Sequence, residues 1–89
     1  QSITENKLSY QEQKEQNRLI KRKEKEVQEA EEKITKLEKR LSETEARLST
    51  PEGASDLDLL QKYLESKNKL DAVMNNWERL TLELDNLKG

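Results

Sequence analysis

Five positively charged side chains gather on one side of a short stretch in the first third of the chain. At about 100° per residue of α-helix they fall within an arc of about 100°; they are Lys14, Arg18, Lys21, Arg22 and Lys25. A row of cations on a rigid rod suits a phosphate backbone, because each contact neutralises a phosphate and releases condensed counterions. The pattern predicts a nucleic-acid contact directed by charge and shape, with little preference for base sequence.

The same face continues further along the chain with a lower density of charge. Lys36, Lys39 and Arg40 fall on it at helical spacing and are further candidate contacts. The alternative is an ordinary solvated helix face, stabilised by ion pairs four residues apart such as Lys25 with Glu29 and Glu32 with Lys36. Both interpretations require a long helix, and they differ in whether the cations serve a partner.

Other kinds of site chemistry lack the residues they need. The chain contains no His and no Cys, so the usual nucleophile–base pairs and most transition-metal sites cannot be built. Its only glycines, Gly53 and Gly89, do not form a phosphate-binding loop. We therefore predict no catalytic residue, no metal site and no cofactor-binding residue in this chain.

Composition restricts the kind of fold. The 89 residues are 40% charged and 30% hydrophobic, with a formal net charge of −2. This is too polar for a rounded core and is typical either of disordered chains or of long exposed helices. No apolar run approaches the roughly 20 residues that span a bilayer, so we expect no membrane segment.

Hydrophobic periodicity favours the helical class. Ile20, Val27, Ile34, Leu41 and Leu48 recur every seven residues, and Ala30, Leu37 and Thr44 follow three residues after successive members. This is the pattern of a coiled coil. The segment "STPEGAS" then interrupts the helix, because Pro51 and Gly53 both disfavour it. Ser55 is the predicted cap of a second helix, whose predicted apolar stripe is Leu57, Leu60, Leu64, Leu70, Met74, Trp77, Leu80, Leu84 and Leu87.

Folding the chain at this segment pairs the two stripes. The residue numbers of partners add to 104 or 105, from Leu48 beside Leu57 to Ile20 beside Leu84, with Trp77 in the core facing Val27. We predict an all-α fold, a monomeric two-helix antiparallel coiled-coil hairpin, because a short loop favours antiparallel neighbours. The predicted ranges are residues 1–8 for the end of an upstream linker, 9–48 for helix 1, 49–55 for the turn and 56–87 for helix 2, within a hairpin of residues 9–88. A capping box, Ser9 with Glu12, is the predicted start of helix 1.

Three segments together resemble a known family. "NKLSYQEQKE", "TPEG" and "WERLTLELDNL" are similar to the C-terminal coiled-coil domain of ABC-F ATPases, the Uup type in particular, and the likeness runs from Asn6 to Leu87. The residues that carry it are Lys7, Leu8, Ser9, Tyr10, Glu12, Gln13, Pro51, Trp77 and Glu78. The resemblance implies a cytoplasmic parent ATPase without a membrane domain, in which two cassettes bind ATP and Mg²⁺. It also implies DNA binding for the tail, or ribosomal RNA binding as in relatives.

The expected function is therefore a non-catalytic accessory arm that binds DNA or structured RNA. Two alternatives stay open. One is a purely structural coiled coil that positions the cassettes or pairs with another protein. The other is the antiparallel arm of an aminoacyl-tRNA synthetase, which has a similar architecture and also contacts RNA.

Overall fold

Two long helices, joined through one short helix, make up the computed structural model, which describes the backbone from Ser2 to Gly89 and the side chains from Ser9 onward. α1 is Ser2–Leu48, α2 is Pro51–Ala54 and α3 is Leu57–Lys88. α1 and α3 pack along each other in a rod measuring 76 × 15 × 14 Å. The predicted all-α hairpin of two helices is confirmed. None of the described helices is long and apolar enough to cross a membrane.

The first helix begins earlier than the sequence indicated. α1 already includes Ser2, so residues 2–8 are helical and Ser9 lies inside the helix. The capping box at Ser9 and Glu12 and the start of helix 1 at residue 9 are therefore wrong, whereas the assignment of residues 1–8 to an upstream linker stays a prediction. The physical reason is that Ser2–Leu8 contains neither Pro nor Gly, and extending an existing helix is far easier than starting a new one. Gln1, also assigned to that linker, lies outside the described residues.

The packing face of α1 agrees with the predicted heptad pattern. Ala30, Leu37 and Leu41 are buried. The other members are half-buried, namely Ile20, Val27, Ile34, Thr44 and Leu48. Alternating steps of three and four residues keep these positions facing α3 if the helices wind around each other with a period of 3.5 residues. We call the line of contact between α1 and α3 the seam.

The packing face of α3 differs from the predicted stripe. Leu57, Leu60, Leu64 and Met74 are 78, 42, 51 and 39% exposed, so they do not belong to the seam. The seam positions, all buried or half-buried, are Leu59, Tyr63, Ser66, Leu70, Val73, Trp77, Leu80, Leu84 and Leu87. These alternate regularly by four and three, without the drift that the leucines suggested. A constant heptad period decides the seam even where it places polar residues there.

The alignment of the two helices is also shifted from the predicted one. Hydrogen bonds across the seam join Tyr63 to Glu45, Trp77 to Glu31 and Lys23 to Glu83, pairs whose residue numbers add to 108, 108 and 106. The predicted pairing of Leu48 with Leu57 is wrong, because Leu57 points to solvent. The shift follows from the first seam residue of α3, which is Leu59 and not Leu57.

The turn is stabilised by two side-chain caps and by the close packing of Gly53 against the end of α1. Thr50 caps α2 and accepts a hydrogen bond from the Gly53 amide at 3.0 Å. A Cβ atom added to Gly53 would lie 1.8 Å from the Arg47 carbonyl oxygen, so only glycine fits against the end of α1. Asp56, not the predicted Ser55, caps α3 by accepting from the Leu59 amide at 3.1 Å. The predicted turn contains a single helical turn that reverses the chain.

Candidate nucleic-acid interface

All of the candidate contact residues are exposed. These are Lys14, Arg18, Lys21, Arg22, Lys25, Lys36, Lys39 and Arg40. Among the side chains described from Ser9 onward, none of them takes part in an ion pair or a side-chain hydrogen bond. The alternative pairs Lys25–Glu29 and Glu32–Lys36 are not formed within that part of the chain. The exposed cations are therefore open to solvent.

The first five cations lie on α1 near the end of the hairpin that is remote from the turn. In this region the Gln16 side chain donates a hydrogen bond to the Leu87 carbonyl oxygen, and Lys88 lies 3.5 Å from Glu24. The five cations point away from α3, because the seam side of α1 here carries Ile20, Lys23 and Val27. We call Lys14, Arg18, Lys21, Arg22 and Lys25 the outer basic face.

Arg40 does not continue this face as the sequence predicted. It lies beside α3, where it lines a shallow depression together with Lys62, Ser66 and Lys69. The reason is the difference between the straight-helix period of 3.6 and the coiled-coil period of 3.5. That difference turns a straight stripe by about 20° per heptad, and so by about 60° over the three heptads between Arg18 and Arg40.

Three cations that the sequence analysis did not identify lie on the same side of the seam as Arg40. Lys62 and Lys69 share its depression, and Lys33 lines an adjoining one with Lys69. A signal for them existed, because Lys62 and Lys69 are three residues on from Leu59 and Ser66, which places them directly beside the seam. The exposed leucines mask this signal, because their spacing predicts a different seam. We call Lys33, Arg40, Lys62 and Lys69 the basic edge.

The opposite side of the seam carries carboxylates that accept hydrogen bonds from aromatic side chains. Glu45 accepts from the Tyr63 hydroxyl at 2.7 Å and Glu31 accepts from the Trp77 indole at 3.3 Å. The bond to Glu45 raises the pKa of the Tyr63 hydroxyl above its ordinary value of 10.0, and partial burial adds to the shift. We call the side of the seam that carries Glu31 and Glu45 the acidic edge. Trp77 is half-buried in the seam, in line with its predicted core role.

One cation lies in the seam itself. The Lys23 ammonium is 2.9 Å from Glu83 on α3 and 3.5 Å from Glu26 on its own helix. The hydrogen bond between Lys23 and Glu83 raises the pKa of the lysine above 10.5 and lowers that of the glutamate below 4.5, against an opposing effect of desolvation. Lys67 is exposed, with its ammonium 5.6 Å from the centre of the Tyr63 ring.

Comparisons of the chain with family models, with characterised proteins and with solved structures gave no match. The resemblance to ABC-F C-terminal domains therefore depends only on the motifs quoted above. Within the described residues, no group of three or more acidic side chains comes together as a metal site. The geometry that remains to be explained is a set of exposed cations on a narrow helical rod.

Proposed function

We propose that this hairpin is a non-catalytic accessory arm that binds nucleic acid through its exposed lysines and arginines. The observation that carries the proposal is that all of the candidate cations are exposed and that none has an ion-pair partner among the described side chains. Phosphate contacts of this kind supply most of the affinity of charge-directed binding. DNA is the target that the ABC-F resemblance favours. Structured RNA is the alternative target, because it presents the same phosphate backbone.

The overall charge of the chain does not oppose this function. The 17 basic and 19 acidic residues nearly cancel, but they are spread unevenly over this rod. Glu31 and Glu45 lie on the acidic edge, whereas the basic edge and the outer basic face are rich in cations. A nucleic acid within a Debye length, about 8 Å at physiological salt, responds to the nearer surface.

The proposal is tested by titrating labelled duplex DNA and structured RNA with the hairpin at about 50 and 200 mM salt. Binding should weaken steeply as salt rises, and Arg18→Glu/Lys21→Glu/Arg22→Glu/Lys25→Glu should weaken it further. Lys67→Glu/Lys88→Glu is a control that reverses cations beside the acidic edge. Absence of binding to both nucleic acids at the lower salt would refute the proposal. The titration with structured RNA also tests the alternative that the hairpin is the arm of an aminoacyl-tRNA synthetase, which would contact RNA through the same cations.

A second candidate function, a protein-binding coiled coil, has one observation in its favour. Leu57, Leu60 and Leu64 are exposed at spacings of three and four on one outward side of α3. Such a stripe is the usual anchor for a further helix. Sedimentation of the hairpin, alone and as Leu60→Ser/Leu64→Ser, would show whether it joins copies of the chain. Self-association that the substitutions abolish, together with no binding to nucleic acid, would favour this candidate.

A further inference from the structure

The basic edge brings like charges together across the seam. Lys33 and Arg40 belong to α1, whereas Lys62 and Lys69 belong to α3, and they line two adjoining depressions. Positions that flank the seam of a coiled coil usually carry opposite charges on the two helices. Here both helices contribute cations, and no ion pair within the described part of the chain includes any of the four.

This arrangement is a local exception in the molecule. Elsewhere the polar contacts across the seam are complementary, as for Lys23 with Glu83 at 2.9 Å and Lys88 with Glu24 at 3.5 Å. Like charges at facing positions destabilise a helix pair by a few tenths of a kcal/mol each, about as much as opposite charges stabilise it. Glu65 is the carboxylate in the depression with Arg40, and Glu26 and Glu29 line the adjoining one. The four cations outnumber these three carboxylates, so the basic edge keeps a net positive charge.

We propose that the basic edge holds the phosphates of one strand of a nucleic-acid duplex, an inference that rests on the proposed function. Lys33 and Arg40 are seven residues apart on α1, as are Lys62 and Lys69 on α3. Seven residues of helix rise by about 10 Å. The phosphates of one duplex strand advance by about 3.4 Å each along the axis, so the two cations of a pair are far enough apart to contact different phosphates of that strand.

The surroundings of the edge favour a duplex over a single strand. Single-stranded nucleic acid is usually held by bases that stack on aromatic side chains. The two aromatic side chains of the seam are engaged on the other side, Tyr63 with Glu45 and Trp77 with Glu31. The basic edge offers charge without a stacking surface, so it recognises the backbone and not the bases. The acidic edge repels the same polyanion, which fixes the side of the rod that faces it.

The test uses the whole chain and a matched pair of variants. Lys62→Gln/Lys69→Gln removes two charges from the basic edge, and Lys67→Gln/Lys88→Gln removes two charges of the same helix from the other side. Affinity for a labelled duplex is measured over a range of salt, with circular dichroism to confirm that each variant stays helical. The first variant should bind about tenfold to hundredfold more weakly near 0.1 M salt, with a salt slope lower by about 1.8 on duplex DNA. The second should bind within about twofold of the unsubstituted chain, because its cations make no phosphate contact.

The outcomes separate this inference from the proposed function. If the unsubstituted chain binds duplex and Lys62→Gln/Lys69→Gln keeps its affinity and salt slope, the basic edge is not the contact, although the arm still binds nucleic acid. Equal losses in the two variants would mean that net charge and not position matters, which also overturns the inference. If the unsubstituted chain binds neither DNA nor RNA, the proposed function fails and takes the inference with it.

Discussion

The half of the hairpin near the turn and the half remote from it bury similar residues but treat charge differently. In the remote half Leu80 and Leu84 are buried, and in the turn half Leu41 and Leu59. All of the ion pairs among the described side chains lie in the remote half, joining Lys23 to Glu26 and Glu83, Arg79 to Glu83, and Lys88 to Glu24. The turn half has none and carries the basic edge.

This difference separates what holds the rod together from what is available to a partner. Leucine packing is shared along the whole seam. The remote half adds complementary charges to that packing, whereas the turn half places like charges side by side. Residues retained at some cost to stability are often those that serve binding. The following substitutions, from the largest expected effect to the smallest, test this division.

Equal burial in the two halves predicts equal losses when a seam leucine is shortened. Leu80→Ala and Leu41→Ala remove side chains that are 4 and 7% exposed. Each should lower the free energy of unfolding by about 2–5 kcal/mol, towards the lower end in so thin a seam. Thermal unfolding measures both, and Leu82→Ala, at a position 62% exposed, is the control. A loss in one half only would contradict the idea of a shared seam.

The turn should tolerate no side chain at Gly53. In Gly53→Ala the new Cβ would lie 1.8 Å from the Arg47 carbonyl oxygen, so α2 must move away from the end of α1. Overpacking of this kind typically costs about 1–3 kcal/mol, and the loss should appear as a lower Tm with helicity largely kept. Glu52→Ala, at an exposed neighbouring position, should change the Tm little. An unchanged Tm in Gly53→Ala would show that the turn is looser than described.

The ion pairs of the remote half should make stability depend on acid. Because the hydrogen bond from Lys23 lowers the pKa of Glu83 below 4.5, its contribution is present above that pH and is lost as the pH falls through the folded-state pKa. Glu83→Gln should lower the Tm at pH 7 and weaken its fall on acidification. Unfolding curves between about pH 7 and pH 3 measure this. Glu78→Gln, at an exposed position, should keep the acid response of the unsubstituted chain, and an identical response in Glu83→Gln would argue against the contact.

The smallest expected effect is a gain in the stability of the hairpin. Arg40→Glu places a carboxylate beside Lys62 and Lys69, which share its depression, and so replaces repulsion with attraction. The hairpin should become more stable by about 0.2–1 kcal/mol at low salt, as exposed pairs usually give. Lys39→Glu makes the same change of charge on the neighbouring residue of α1, away from α3, and should give no such gain. If the two variants unfold at the same temperature, the cations of the basic edge do not repel one another appreciably.

The sequence was sufficient for some elements and not for others, for a physical reason. The heptads of α1 follow from regularly spaced apolar residues, and the helix break follows from Pro51. Both were predicted from the sequence. On α3 the exposed Leu57, Leu60 and Leu64 outnumber the apolar residues of the true seam near the turn, where Tyr63 and Ser66 take the inward positions. Hydrophobicity alone therefore selected the wrong side of the helix.

The error on α3 carried through to the candidate site. Lys62 and Lys69 are recognisable as neighbours of the seam only after Ser66 has been assigned to it. A straight-helix angle places Arg40 on the outer basic face, whereas the contacts of α1 repeat every 3.5 residues and bring it beside α3. The outer basic face, which spans little more than one heptad and a half, suffered little from this and was placed correctly as exposed.

The contact between Lys23 and Glu83 has a consequence for how the two helices find a single alignment. A seam that repeats every seven residues nearly matches itself when one helix slides by seven residues, about 10 Å, so leucine packing alone is degenerate. Such a slide would bring Asn76 to the place of Glu83, and the Lys23 ammonium would lose its carboxylate. Together with the bonds from Tyr63 to Glu45 and from Trp77 to Glu31, this contact marks one alignment out of several that leucine packing would accept.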